Sequence, residues 1–323
     1  MSILKSREAI LAAAIALLLA LIASRFPGFV RPENLVRVFT DTSPLILLAM
    51  GQMAVILTRA IDLSVAANLA LCGMIAALMD GAGVPLPAIL AAVVALGAAL
   101  GAVNGLLVWR LGIPSIVVTL GTMTIYRGTI FLLTGGAWIN AHQMSEGFKA
   151  FPRMVLAGLP MMAWIALAGI AALAVLLRLT PLGRAFYAVG GNPHAAVYTG
   201  ISVGRTQFLA FVLSGALAGL TGYLWVARYA VAYVDIAGGF ELDVIAACVI
   251  GGIAIAGGAG SVAGCVMGAL FLGIVKNALP VVGISPFWQM AISGTAILIA
   301  IAFNARGRQG PGRIILKRAE HRT

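Results

Sequence analysis

Apolar runs follow one another along almost the whole chain, at roughly 8–24, 43–58, 64–79, 87–108, 115–134, 161–178, 207–226, 243–257, 260–278 and 286–304. A hydrocarbon core about 30 Å thick is crossed by about 20 such residues in a helix, and fewer suffice where a helix is tilted or enclosed by protein. Inside lipid every backbone N–H and C=O has to find its partner within the protein, so runs of this length specify helices. The expected fold is all-α: a polytopic membrane helix bundle of about ten transmembrane helices. With 62% of 323 residues apolar and 10% charged, a soluble domain is excluded. Lys5 and Arg7 before the first run imitate a signal peptide. However, Ser24-Arg25-Phe26-Pro27 lacks a small-x-small cleavage pattern, so an uncleaved first helix is expected.

An even number of spans puts both ends on one side, and the basic residues choose it. Placing the N-terminus inside leaves thirteen Lys and Arg in the inner segments. Six remain outside: Arg25, Arg31, Arg37, Lys149, Arg153 and Arg228. That asymmetry puts both termini in the cytoplasm. The net charge of +11 is spread between apolar blocks instead of lining one face, so it reads as a topology signal with some attraction to anionic lipid, and no nucleic-acid partner is expected. Cys72, Cys248 and Cys265 all fall in apolar runs, where they act as small buried hydrophobes and specify neither disulfide nor metal.

The polar interval from Arg178 to Gln207 cannot lie in the bilayer. Pro181, Pro193 and five glycines break any continuous span there. Within it, His194 to Tyr198 predicts a short helix with Asn192 as N-cap and Pro193 in the first turn. Arg184 and Arg205 hold this element outside the bilayer, facing the cytoplasm, as a docking element.

Few polar groups enter the spans. Asp62, in Arg59-Ala60-Ile61-Asp62-Leu63-Ser64, stands where an acid can cap the helix that follows, or point into a polar path. Arg127 lies well inside the fifth run and needs a carboxylate, carbonyls or water facing the bundle interior. Lys276 is expected to snorkel, and Phe287 and Trp288 to anchor at the interface. Gln52, Asn104 and Gln289 offer hydrogen bonds either between helices or to sugar hydroxyls. Asp62, Asn104, Arg127 and Gln289 are therefore the candidate substrate-path residues. Gly97, Gly101 and Gly105 on the fourth span are echoed by Gly260, Gly264 and Gly268 on the ninth, as helix-packing faces. The two spans are five apart and run oppositely, as an inverted repeat of helices 2–5 and 7–10 would require.

No phosphate-binding Gly-x-x-x-x-Gly-Lys-Ser/Thr, no His-Glu-x-x-His and no Cys/His cluster occurs. No cofactor, metal site or catalytic residue is expected, and any ATP hydrolysis must reside on another chain. The rival is an ion-coupled secondary transporter with Asp62 and Arg127 as the coupling pair.

Four stretches together resemble one family. They are Ile61-Asp62-Leu63-Ser64-Val65, Pro114 through Thr122, Leu182-Gly183-Arg184 through Gly190-Gly191-Asn192-Pro193 to Gly200-Ile201, and Gly251-Gly252 with Gly257 through Ser261. Their combination is similar to the permease subunits of bacterial ATP-binding-cassette sugar importers of the ribose, xylose, arabinose, rhamnose and autoinducer-2 group. The segments 135–140 and 285–290 look most like rhamnose permeases, with autoinducer-2 permeases next. The family's contact with its ATPase has the form Glu-Ala-Ala, three residues, Gly. Here Ala195, Ala196 and Gly200 match, and His194 stands at the Glu position. The resemblance implies a permease domain over 1–304, with a cytoplasmic coupling loop at 179–206 and a basic tail at 305–323. It implies ATPase coupling through Arg184, Asn192, Pro193, His194, Ala195, Ala196, Gly200 and Ile201. The implied partners are an ATP-binding-cassette ATPase subunit, a periplasmic sugar-binding protein and a second permease copy or paralogue in a dimer. The implied setting is the lipid bilayer of the bacterial inner membrane.

Overall fold

In the computed structural model, residues 7–281 are described, and beyond them only 283, 288, 291, 294 and 295. Long helices α1 (Arg7–Arg25), α2 (Pro32–Leu57), α3 (Val65–Gly81), α4 (Leu86–Leu111) and α5 (Ser115–Thr134) come first. A segment of short turns and β1 (Ile139–Asn140), α6 (Glu146–Ala150), β2 (Val155–Leu156) and β3 (Leu159–Pro160) leads to α7 (Met161–Leu179). Then follow α8 (Pro181–Gly191), α9 (Pro193–Tyr198), α10 (Val203–Tyr229), β4 (Val231–Ala232), α11 (Phe240–Ile250) and α12 (Val262–Val281). Among the described residues seven helices are long and apolar enough to cross a membrane, and the 17-residue α3 is a shorter apolar helix beside them.

Most predicted spans are found with shifted ends. The second starts at Pro32, eleven residues earlier than its apolar run, because Pro32 opens the helix and Glu33 meets its positive end. The helix continues through the interior Pro44, and beside it the hydroxyls of Thr40, Thr42 and Ser43 bond back to carbonyls one turn earlier. The expected eighth span, 243–257, is a correction: α11 is an 11-residue helix, about 16 Å long, that stops at Gly251. A glycine-rich loop continues from it, with Gly252, Gly257 and Gly258 in the left-handed region. Gly260 lies in that same loop, so only Gly264 and Gly268 of its triplet sit on α12. The tenth run at 286–304, Lys5, Phe287, Gln289 and the tail 305–323 lie outside the described residues, while Trp288 is exposed.

Two long helices make the centre. α2 and α10 pack on each other; α3 and α4 lie against α10, while α11 and α12 lie against α2. Exchanging α2–α4 with α10–α12 preserves that pattern, as an inverted repeat would. The close approaches run through backbone. A Cβ at Gly97 would overlap the carbonyl oxygen of Gly215, one at Gly101 that of Phe211, and one at Gly268 that of Ala247. Side-chain-free contact of this kind is how helices associate where lipid is as apolar as leucine. By contrast, α1 touches the bundle mainly on α12, through Ile22, Ile274 and Ala278, and leaves Ile10, Leu17 and Leu21 outside.

The chain order gives the bundle two ends. One carries α8 and α9, the C-termini of α2, α4 and α7, and the N-termini of α3, α5, α10 and α12. The opposite end is covered by the 135–160 segment. There β1 pairs with β4, Trp138 stacks on Tyr233 at 4.5 Å, and the Asp80 carboxylate accepts two bonds of 2.7 Å from Ser145.

Candidate functional site

At the first end, the interval between α7 and α10 folds as two helices where the sequence predicts one. Thr180 caps α8, its hydroxyl accepting from Gly183 N at 3.2 Å, and Pro181 fills the first turn. This helix buries one face, Gly183, Phe186, Val189 and Gly190, against the bundle. Asn192 then caps α9 as predicted, its side-chain oxygen accepting from Ala195 N at 3.2 Å, with Pro193 next. Ala196 is the one buried residue of α9. His194, Ala195, Val197, Tyr198 and Gly200 face outward, as does Arg184 on α8. Tyr198 is 92% exposed. Gly200 closes the helix with φ of +83° and donates to Val197 O, while Ile201 N returns to Ala196 O. The predicted coupling residues thus lie on one outward-facing platform, seated on the buried face of α8 and on Ala196 of α9.

The platform is tied to the bundle at the turn after α2. Arg59 adopts φ of +67°, uncommon for a residue with a Cβ. Its guanidinium donates to Gly190 O at 2.8 Å and Gly191 O at 2.9 Å, the last carbonyls of α8. A cation there meets the negative end of the helix and fills bonds the helix cannot make for itself. Gly258 N bonds Leu57 O at 3.0 Å beside it, and a Cβ at Gly190 would overlap both atoms. Gln207 of α10 donates to Thr58 O at 3.0 Å. Nothing in the local sequence pattern marks Arg59 as a clasp; its partners are more than 130 residues away.

The same loop descends into a buried polar core. Asp62 is 1% exposed. One carboxylate oxygen accepts from Ser64 N at 2.9 Å and Ser64 Oγ at 2.6 Å, and the other from Ser214 Oγ at 3.3 Å. It therefore closes a local turn before α3 and does not itself occupy the cap position, which falls to Ser64. Asn104 joins through Ser64, donating to its hydroxyl at 2.8 Å and accepting from Thr122 at 2.7 Å. Gln52 brackets the Asp62 backbone, in the amide orientation that satisfies both ends, donating to its carbonyl at 3.1 Å and accepting from its N–H at 3.2 Å. Ser115 and Thr119 of α5 hold Ile61 from the far side. Two of the four candidate path residues, Asp62 and Asn104, are thus brought into one network.

The other two are not. Arg127 reaches toward the opposite end, where Nη1 donates to Val234 O and Ile236 O at 2.7 Å each and stands 3.7 Å from Asp235. The carbonyl shell its burial requires is present, and it comes from the loop before α11. Asp62 and Arg127 do not meet, so they form no coupling pair in this arrangement. Gln289 lies outside the described residues. Lys276 corrects the snorkelling expectation: its ammonium pairs with Asp243 of α11 and lies 5.4 Å from the Phe240 ring centre. Among the described residues no group of His, Cys, Asp and Glu is arranged to hold a metal.

Residues 34–301 match the family described as branched-chain amino acid transport system / permease component. Three curated relatives carry the name autoinducer 2 import system permease protein LsrC. That of Klebsiella pneumoniae is 37% identical, over 97% of this chain and 90% of its own length. Those of Escherichia coli O157:H7 and Salmonella typhi are each 36% identical, over 91% and 94% of this chain and 86% and 87% of theirs. No solved structure matches the chain.

Proposed function

This chain belongs to the branched-chain amino acid transport system permease component family, and on that premise we propose that it is the membrane subunit of an ATP-driven importer of a small neutral polyol. The observation that carries the reading is the outward platform of α8 and α9, wired by Arg59 into the loop that ends at Asp62. A passive bundle without a nucleotide motif needs such a foothold for a separate ATPase pair. Closure of that pair pushes on α9, and the Arg59 clasp carries the push to the α2–α3 turn, so that the two halves of the bundle rock about the α2–α10 contact. Asp62 and Asn104 then close the inner part of the path, and Arg127 holds its outer loop.

Residues 1–304 act as the permease unit and 305–323 as a basic tail at the inner face of the bacterial inner membrane, both termini in the cytoplasm. A binding protein delivers solute to the opposite end, and a second permease copy or paralogue completes the path. The names of the relatives favour autoinducer 2 over the rhamnose likeness of segments 135–140 and 285–290.

The test is reconstitution with the ATPase and binding protein. Uptake should follow internal ATP and survive an uncoupler, and Gly200→Trp should abolish the ATP hydrolysis that loaded binding protein stimulates. Uptake by the permease alone, or normal stimulation in Gly200→Trp, would overturn the proposal.

A further inference from the structure

At the end opposite α8 and α9, a cavity of about 500 Å³ opens between α2, α10, α11 and α12. It falls within the range of about 300–1,000 Å³ that holds small-molecule ligands. None of the residues that line it is among the path residues the sequence singles out.

One wall is aromatic. Trp225 packs on Tyr229 with ring centres 5.1 Å apart and edge-on against Phe240 at 4.9 Å; Tyr229 is 49% exposed. The facing groups are charged but mutually neutralised. Arg228 donates to Asp41 at 2.7 Å across α10 and α2, and Lys276 pairs with Asp243 across α12 and α11. Each carboxylate and each cation keeps further hydrogen-bonding capacity after its ion pair is made. Arg37 stands exposed at the rim, with no carboxylate partner among the described residues.

Aromatic faces beside neutralised ion pairs suit one chemistry. A sugar-like ring presents an apolar C–H face to the one and hydroxyls, which both donate and accept, to the other. Inside the cavity an anion would need a cation already committed to a carboxylate, since the unpaired Arg37 stands at the exposed rim, and a metal ion would need a carboxylate already committed to a cation. Trp225 lies eleven residues beyond Ser214, about 16 Å along α10, so the buried Asp62 network is a separate, deeper layer.

We propose that this cavity is the outer solute station of the permease, holding one neutral polyhydroxylated ring against Trp225 and Tyr229, with its hydroxyls on the Arg228–Asp41 pair. The station deepens the importer reading and rests on it for its place in the cycle, but its occupancy can be measured without the cycle.

Cys72, Cys248 and Cys265 are buried, so a thiol introduced by Asn277→Cys on the cavity wall reports alone to a maleimide. Asn277 returns its own amide to Gly273 O at 2.8 Å, which keeps the reporter out of the hydroxyl-binding set. In nanodiscs carrying the full chain, saturating ribose, rhamnose or synthetic autoinducer 2 should slow labelling severalfold. Glucuronate and inorganic phosphate should not, and adding Tyr229→Ala should remove the protection, each variant's rate being compared with its own rate without solute. Protection by none of the three neutral polyols overturns the station, as does equal protection by the two anions or protection that survives Tyr229→Ala. The importer reading fails by a different result: loss of ATP dependence in the assembled complex, whatever the labelling shows.

Discussion

Replacing Asp62 separates architecture from transport chemistry. Asp62→Ala takes the only carboxylate out of a site where Asp62, Ser64, Asn104 and Ser214 are all 1% exposed or less. Ser64 loses the acceptor for its N–H and for its hydroxyl, and Ser214 loses its own. A buried donor left without a partner costs about 1–3 kcal/mol. Ser214 can turn back to a carbonyl one turn earlier in α10, which leaves Ser64 to bear the loss, about 2–5 kcal/mol in all. Against a typical total of about 5–15 kcal/mol this is a large fraction, and a fall in Tm of about 4–10 °C follows. Asp62→Asn keeps one oxygen for Ser64 and presents an NH2 to Ser214 Oγ, which can accept, so it should cost less than about 1 kcal/mol. Thermal unfolding of the two variants in detergent, beside ATP-driven uptake in proteoliposomes, tests the reasoning. If Asp62→Asn unfolds like the parent yet transports nothing, the negative charge serves the transport cycle itself, and the structural account of this carboxylate is refuted.

Arg59→Ala should lose two charge-assisted bonds to the end of α8 and uncouple ATP hydrolysis from uptake while Tm falls by only a few degrees; an unchanged ratio of solute moved per ATP hydrolysed would remove the clasp from the mechanism. Gly97→Val should prevent accumulation of folded protein, because its side chain overlaps the Gly215 carbonyl. Gly121→Ala, with open space around it, should behave as the parent on fluorescence-detected gel filtration. Lys276→Ala alone strands the nearly buried Asp243 and should destabilise by about 3–5 kcal/mol. The double change Lys276→Ala with Asp243→Ala should recover part of that, which a thermal double-mutant cycle measures.

What the sequence made legible is what local chemistry decides. The length of apolar runs located α1, α4, α5 and α7 to within a few residues, and Asn192-Pro193 located α9, since an N-cap followed by proline acts within one turn. Helix α8 was missed because its apolar face spans only eleven residues between two prolines, too short to read as a span and too polar to read as core. The end of α11 was missed for the opposite reason. The run to residue 257 is apolar enough to continue, and it stops because the backbone turns at Gly252 and again at Gly257 and Gly258. Partners were less legible than elements. The depth of Arg127 calls for a carboxylate, carbonyls or water, but nothing local says that Val234 and Ile236 supply carbonyls, and Lys276 reads as snorkelling because Asp243 lies 33 residues away.

Those distant partners carry a consequence for function. Arg127 with the 234–236 carbonyls, Arg228 with Asp41, Lys276 with Asp243 and Asp62 with two serines account for charged groups that would otherwise be free to hold an ion in transit. A path that passes charge keeps counter-charges uncommitted along its length, because desolvating an ion without one is costly. Here each is spent on holding two helices, or a helix and a loop, together. Among the described residues, what remains for a solute inside Arg37 at the rim is hydroxyl, amide and aromatic surface, which binds through hydrogen bonds and stacking. On the importer reading proposed above, a neutral cargo and a rigid bundle would follow from one arrangement, and a variant that freed one of these charges should loosen the fold and admit ions together.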